Sequence, residues 1–169
     1  MSTKFILDSP ELVSAISSLK IAGPELRKQI YEASRNAIAP EWQSELYKVT
    51  GGNNQARRVL ADTARVNVGT RGVNLTSAKS GKKLRGGLVP KTDFAAVELG
   101  ATWKTKEIKG RRGGTRYTYT RTVNKGFKPR RRTGYYVFPT ADKFVFRFAA
   151  LFVTATARTL HDAVEGKIS

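Results

Sequence analysis

Seventeen lysines and arginines stand between Lys79 and Arg132 against three acids, Asp93, Glu98 and Glu107. A stretch this basic can contribute little to a domain interior, because lysine and arginine are almost never fully buried unpaired. The hydrophobic core must therefore come mainly from the segments on either side. Most of the formal net charge of +18 lies in this one stretch, and the flanks are close to balanced. A local field of that size calls for a polyanion, an acidic protein surface or open solvent.

The flanks are long enough for the task. The chain has 169 residues, sufficient for one domain spanning 1–169, and its 40% hydrophobic content leaves room for a part that projects from the core. The chain has no cysteine, which excludes disulfides, thiolate metal sites and cysteine nucleophiles and suits a reducing compartment. Met1–Asp8 is too short and too soon charged for a signal peptide. The longest apolar region, Phe144–Ala157, contains Arg147 and is too short to span a bilayer, so no membrane association is expected.

The apolar spacing gives the expected elements. Ser9 as cap, Pro10 at the first helical position and Glu11 start a helix, with Leu12, Ile16 and Leu19 on one face. Gly23-Pro24-Glu25 repeats that signal, and Leu26, Ile30, Ala33 and Ala37 carry it on. Pro40 should end or kink this helix, with a further segment from Glu41-Trp42 to Leu46 and a break at Gly51–Asn54. Alternation in Ala64–Val68 and Val73–Thr76, across Gly69-Thr70-Arg71-Gly72, predicts a β-hairpin. Ser77–Thr92 reads as a mobile basic loop, and Phe94–Leu99 as a strand with Ala95, Val97 and Leu99 on one face. Residues 104–132 form a basic arm in which Thr115–Val123 pairs with Lys104–Ile108 across the Gly110–Gly114 turn. Such a pair has little aliphatic content and is marginal in isolation. Pro139 or Thr140 begins a long closing helix lined by Phe144, Phe148, Leu151, Phe152 and Ala155, and Gly166 stops it. The expected class is α+β: a small antiparallel sheet packed by long N- and C-terminal helices, with a projecting hairpin arm.

No catalytic, cofactor or metal site stands out. The one histidine, His161, lies beside Asp162 near a helix end, where a surface histidine is ordinary. Glu41 and Glu45 stand four apart, which admits a general acid/base pair but suits a solvated helix face better. Gly110-Arg111-Arg112-Gly113-Gly114 lacks the Gly-Lys-Ser/Thr ending of a phosphate-binding loop. The reading is of a protein that is not an enzyme.

The arm is where the chain should act. Its candidates are Lys104, Lys106, Lys109, Arg111, Arg112, Arg116, Tyr117, Tyr119, Arg121, Lys125, Lys128, Arg130, Arg131 and Arg132. The cations would neutralise phosphates and the tyrosines would stack on bases, giving sequence-independent nucleic-acid binding. Equally, the arm would dock on an acidic neighbouring subunit and order as it binds. A solvated loop is the remaining alternative.

Two motifs carry a family resemblance. The expected strand Ala95-Ala96-Val97-Glu98-Leu99-Gly100-Ala101-Thr102 resembles the YA-x-x-VEFGT strand of the HK97 gp10-like tail-component family of long-tailed phages, with Leu99 for the phenylalanine and Ala101 inserted before Thr102. Tyr135-Tyr136-Val137-Phe138-Pro139-Thr140-Ala141 is similar to that family's aromatic-Pro-Ala start of its closing helix. Ala39-Pro40 and Thr50-Gly51 fall where the family has a helix proline and a Thr-Gly break, whereas the arm fills what is usually a short link. The resemblance implies a virion protein of the neck, assembled in the host cytoplasm. It would be a tail-completion ring, hexameric, between the head-closure or connector protein and the tail tube, with a tail terminator on the same axis as the alternative. It further implies that Glu98 ends a strand near a subunit contact, Gly100 makes a tight turn and Pro139 starts a helix. Contact between the arm and packaged DNA is compatible with that setting.

Overall fold

The computed structural model describes residues 2–3, 10–69 and 72–166; the side chains of residues 2, 3, 12 and 112 are outside that description. The Ser9 cap, most of Met1–Asp8 and the Thr70-Arg71 turn lie outside the described residues. The fold class is α+β, with two antiparallel sheets among five helices.

Two short strands and a long helix pair organise the core. Strand β1 (Ser2–Thr3) is followed by helix α1 (Pro10–Ile21) and helix α2 (Pro24–Thr50). The fully covered residues of α2 are Ile30, Ser34, Ile38, Trp42, Leu46 and Thr50, a strict spacing of four. Each such step overshoots one turn by about 40°. The covered row therefore winds around the helix and serves two different neighbours. One is the closing helix α5 (Val137–Val164), which runs antiparallel to α2: Glu41 and Trp42 meet Arg147 and Phe148, and the earlier Ala33 and Ala37 lie beside the later Ala155 and Arg158. The other is the hairpin of β2 (Arg65–Gly69) and β3 (Gly72–Thr76), with β1 on the outer side of β3. Trp42 sits at the junction: its ring stands edge-on to Phe148 at 6.0 Å, and its Nε1 points at the Thr76 carbonyl 3.5 Å away. Between α2 and β2 a one-turn helix α3 (Asn54–Ala56), capped by the Asn53 side chain, runs into a π-helical turn, Arg57–Ala61, that buries Val59, Leu60 and Ala61.

Three expectations are corrected. Pro40 does not end α2. Its missing N–H frees the carbonyl four residues back, at Asn36, and both residues are exposed, so solvent satisfies the group while Ile38 and Trp42 hold the opposite face in the core. Phe94–Leu99 is not a strand; it lies in and just after helix α4 (Pro90–Glu98). Pro90 takes the first helical position, and the Asp93 carboxylate accepts the Val89 N–H at 2.6 Å. The buried residues are then Phe94, Val97 and Glu98, at helical rather than alternating spacing, while Ala95 is exposed. Nor is Ser77–Thr92 a free loop. Ser77 and Ala78 are buried, Leu84 and Leu88 pack on the core, and backbone bonds link Leu84 to Leu88 and Lys91 to Ser80. The closing helix begins two residues before Pro139 and ends before Gly166, whose φ is +69°.

Candidate functional site

Beyond α4 the chain leaves the core as a two-stranded ribbon. Strands β4 (Lys104–Arg112) and β5 (Thr115–Val123) pair without a break from Lys104 opposite Val123 to Arg112 opposite Thr115, with Gly113-Gly114 at the tip. Nine residues at about 3.3 Å each make it about 30 Å long. Every described side chain on it is exposed apart from the partly covered Ile108 and Val123.

Pleating assigns each cation to a face. One face carries Lys104, Lys106 and Ile108 opposite Val123, Arg121 and Tyr119, and Gly110 opposite Tyr117. The Tyr117 and Tyr119 rings stack at 5.8 Å with 25° between their planes. The hydroxyl end of Tyr117 rests on Gly110, where an added Cβ would come within 2.5 Å of the ring. The opposite face carries Thr105, Glu107, Lys109 and Arg111 against Thr122, Thr120, Thr118 and Arg116. Lys106 therefore sits directly across from Arg121, and Arg111 from Arg116. Like charges in that position oppose strand pairing. Among the described residues, no carboxylate forms an ion pair with a ribbon cation.

The ribbon stands on a bonded mount. The Trp103 indole donates to the Phe127 carbonyl at 3.0 Å, and the Asn124 amide donates to Thr102 at 3.2 Å. Below these, Ala101 N–H donates to Lys128 at 2.9 Å and Arg131 N–H to Leu99 at 2.7 Å. Gly100, at φ +74°, lies against this returning segment; a Cβ there would overlap the carbonyl oxygens of Pro129 and Lys128. The expected tight turn at Gly100 is thus a close crossing of two backbones. Lys128 places its Nζ 4.8 Å from both the Tyr135 and the Tyr136 ring centres, and Arg131 lies over Tyr135. The structure thereby divides the candidate cations. Lys128 and Arg131 help build the mount, Lys125, Arg130 and Arg132 are exposed beside it, and the rest line the ribbon.

Glu98 is the residue whose expected role changes most. It is wholly buried at the end of α4, so the expected strand end is a helix end. Its Oε1 accepts the N–H groups of Tyr136 and Phe138 at 3.3 and 3.1 Å, and its Oε2 accepts that of Val137 at 2.9 Å. Pro139, next in line, has no N–H, and the Thr140 N–H bonds back to Tyr136 at 3.1 Å. The donors that a helix start normally leaves without partners are all accounted for. Gly134, at φ +74°, permits this approach, since a Cβ there would collide with the Glu98 carboxylate and the Phe138 ring. No sequence signal joins Glu98 to Tyr136, because the contact bridges 38 residues.

The other candidates lie apart from the ribbon, Glu41 and Glu45 on α2 and His161 on α5. Glu41 forms a two-bond ion pair with Arg147, and Glu45 pairs with Lys48 at 2.6 Å, so each acid holds its own cation. His161 has Asp162 and also Glu165 close by, the latter 3.4 Å from its Nε2; the three side chains each place a ligand atom within 4.8 Å of the others at the C-terminal end of α5, with Asp162 half-buried and the other two exposed. No helix among the described residues is long and apolar enough to cross a membrane. Comparison with known proteins gives no match to a family model, a curated protein or a solved structure.

Proposed function

We propose that this chain is a structural protein of a long-tailed phage particle, a neck or tail-completion component that assembles as a homo-oligomeric ring between the head-closure protein and the tail tube. The observation that carries the reading is the Glu98 cap. The two segments that resemble the HK97 gp10-like family are far apart in sequence, yet Glu98 of the first supplies the acceptors for the helix start formed by the second. Pro139 removes the one N–H that Glu98 does not reach. A Glu-x-Gly segment and an aromatic-Pro-Ala segment are thus two halves of one device, and their joint occurrence gains weight as a resemblance.

The ribbon supports the same reading. A hairpin left uncovered by its own chain, with opposed like charges, favours a role that another component of an assembly completes. The ring is six-fold by what the resemblance implies.

The test is complementation of a phage whose own copy of this gene carries an early stop. A variant lacking residues 105–122, rejoined by two glycines, keeps the Ala101–Lys128 mount. It is expected to fold and to yield unjoined heads and tails. Normal infectious particles from that variant would remove the ribbon from assembly. Imaging of wild-type particles that finds no copy of the chain at the neck would overturn the reading as a whole.

A further inference from the structure

The ribbon's partner can be argued from its shape and charge alone, without reliance on the neck reading. We propose that the β4–β5 ribbon is a binding element for double-stranded DNA, seated in the major groove and indifferent to sequence.

Charge distribution separates DNA from an acidic protein. Lys104, Lys106 and Arg121 lie on one face, while Lys109, Arg111 and Arg116 lie on the other. A protein surface meets one face of a ribbon and would leave the other set in solvent. A groove with a phosphate wall on each side offers partners to both sets. The opposed pairs Lys106–Arg121 and Arg111–Arg116 cost the free ribbon pairing energy, and phosphates placed between or beside them remove that repulsion.

Dimensions agree. Two strands about 4.8 Å apart with their side chains fit a groove about 12 Å wide, which admits a two-stranded ribbon. The deep, narrow major groove of duplex RNA does not admit side chains. The Tyr117 ring stacks on Tyr119 and rests its hydroxyl end on Gly110, so the ring faces are partly occupied and less open to stacking on bases. The threonines of β5 supply hydroxyl donors that can be directed at phosphates, and such contacts position a protein without reading bases. The ribbon carries no asparagine or glutamine, the side chains that pair with adenine.

Fluorescence anisotropy with a labelled 20-base-pair duplex of arbitrary sequence tests the assignment on the full-length protein. Six phosphate contacts predict a slope of about −5 in log affinity against log salt, and a loss on the order of a thousandfold between 50 and 200 mM. Lys106→Gln with Arg121→Gln, or Arg111→Gln with Arg116→Gln, should each lower the slope by about 2 while leaving the unfolding midpoint unchanged. Lys20→Gln with Lys28→Gln, on exposed positions of α1 and α2, should leave the slope as it was. Duplexes of unrelated sequence should bind within about threefold of one another. The proposal is overturned by absence of binding at low salt, by a slope that ignores both ribbon pairs, by tighter binding of a single strand than of the duplex, or by polyglutamate displacing the duplex at equal charge. The last result would assign the ribbon to an acidic protein. All arms use purified protein, so none depends on head–tail joining.

Discussion

Replacing Glu98 by glutamine exchanges one carboxylate oxygen for an NH2 group and should cost as much as many core truncations. Glutamine has the same size and leaves no cavity, so packing is held constant. With its amide oxygen on the Tyr136 and Phe138 side, the new NH2 group faces the Val137 N–H across the 2.9 Å that now holds a bond. Two donors then oppose each other in a site with no exposure. A hydrogen bond to a charged group is worth about 1.5–3 kcal/mol, and the negative charge facing a buried helix start adds up to about 2 kcal/mol. The expected loss is therefore about 2–5 kcal/mol. At about 2–4 °C per kcal/mol for a chain of this size, the unfolding midpoint should fall by roughly 10 °C. Urea and thermal unfolding followed by far-UV circular dichroism at pH 7 measure it. Hydrogen exchange locates it: the amides of Tyr136, Val137 and Phe138 should lose protection before those of Ile38 or Leu46. A glutamine variant within about 1 kcal/mol of wild type, with those three amides still protected, would refute the capping argument.

Gly134→Ala acts on the same device through a positive φ and a collision with the carboxylate, and should cost about 2–4 kcal/mol by chemical denaturation. Combined with Glu98→Gln it should cost clearly less than the two losses added together, since both break one cap. Gly110→Ala has the opposite signature: it lifts Tyr117 off the ribbon, so the near-UV tyrosine signal falls while the global midpoint stays within about 2 °C. Tyr47 donates to Asp62 at 2.7 Å, and that bond foremost raises the phenol above its ordinary 10.0. A raised folded-state value means the contribution is complete below pH 10 and is lost as pH climbs through the raised value. Tyr47→Phe should therefore cost less than about 1 kcal/mol at neutral pH, with the gap to wild type closing in strongly alkaline buffer.

Local signals in the sequence gave much of this architecture, and failed where tertiary context decided. Pro10, Pro24 and Gly166 mark real helix ends, and alternation in 64–76 and 115–123 locates three paired strands, while β4 runs four residues beyond the expected Lys104–Ile108 into the expected glycine turn. Phe94–Leu99 misled because a short apolar run has no decisive period. The proline and acid at Pro90 and Asp93, the same start signal read correctly at Pro10 and Pro24, were the available clue. At Pro40 the expectation of an end or a kink stood open because the cost depends on whether the freed carbonyl is wet, which sequence does not show; the structure excludes the end. At the candidate site the basic residues were plain from composition. Their division between ribbon and mount was not, because Lys128 and Arg131 differ from Lys125 and Arg130 only in the tyrosines that fold beneath them.

The mount has a consequence for how such a chain can change. Ala101 and Lys128 are bonded across the base of the ribbon, so the two points where it leaves and rejoins the core are fixed side by side whatever lies between them. Lengthening a loop whose ends are already held costs only fractions of a kcal/mol per doubling. The clasp is thus a socket: a longer hairpin, a shorter link or an unrelated binding module can be exchanged at Thr102 and Asn124 as a cassette, and the core beneath should fold without registering the difference.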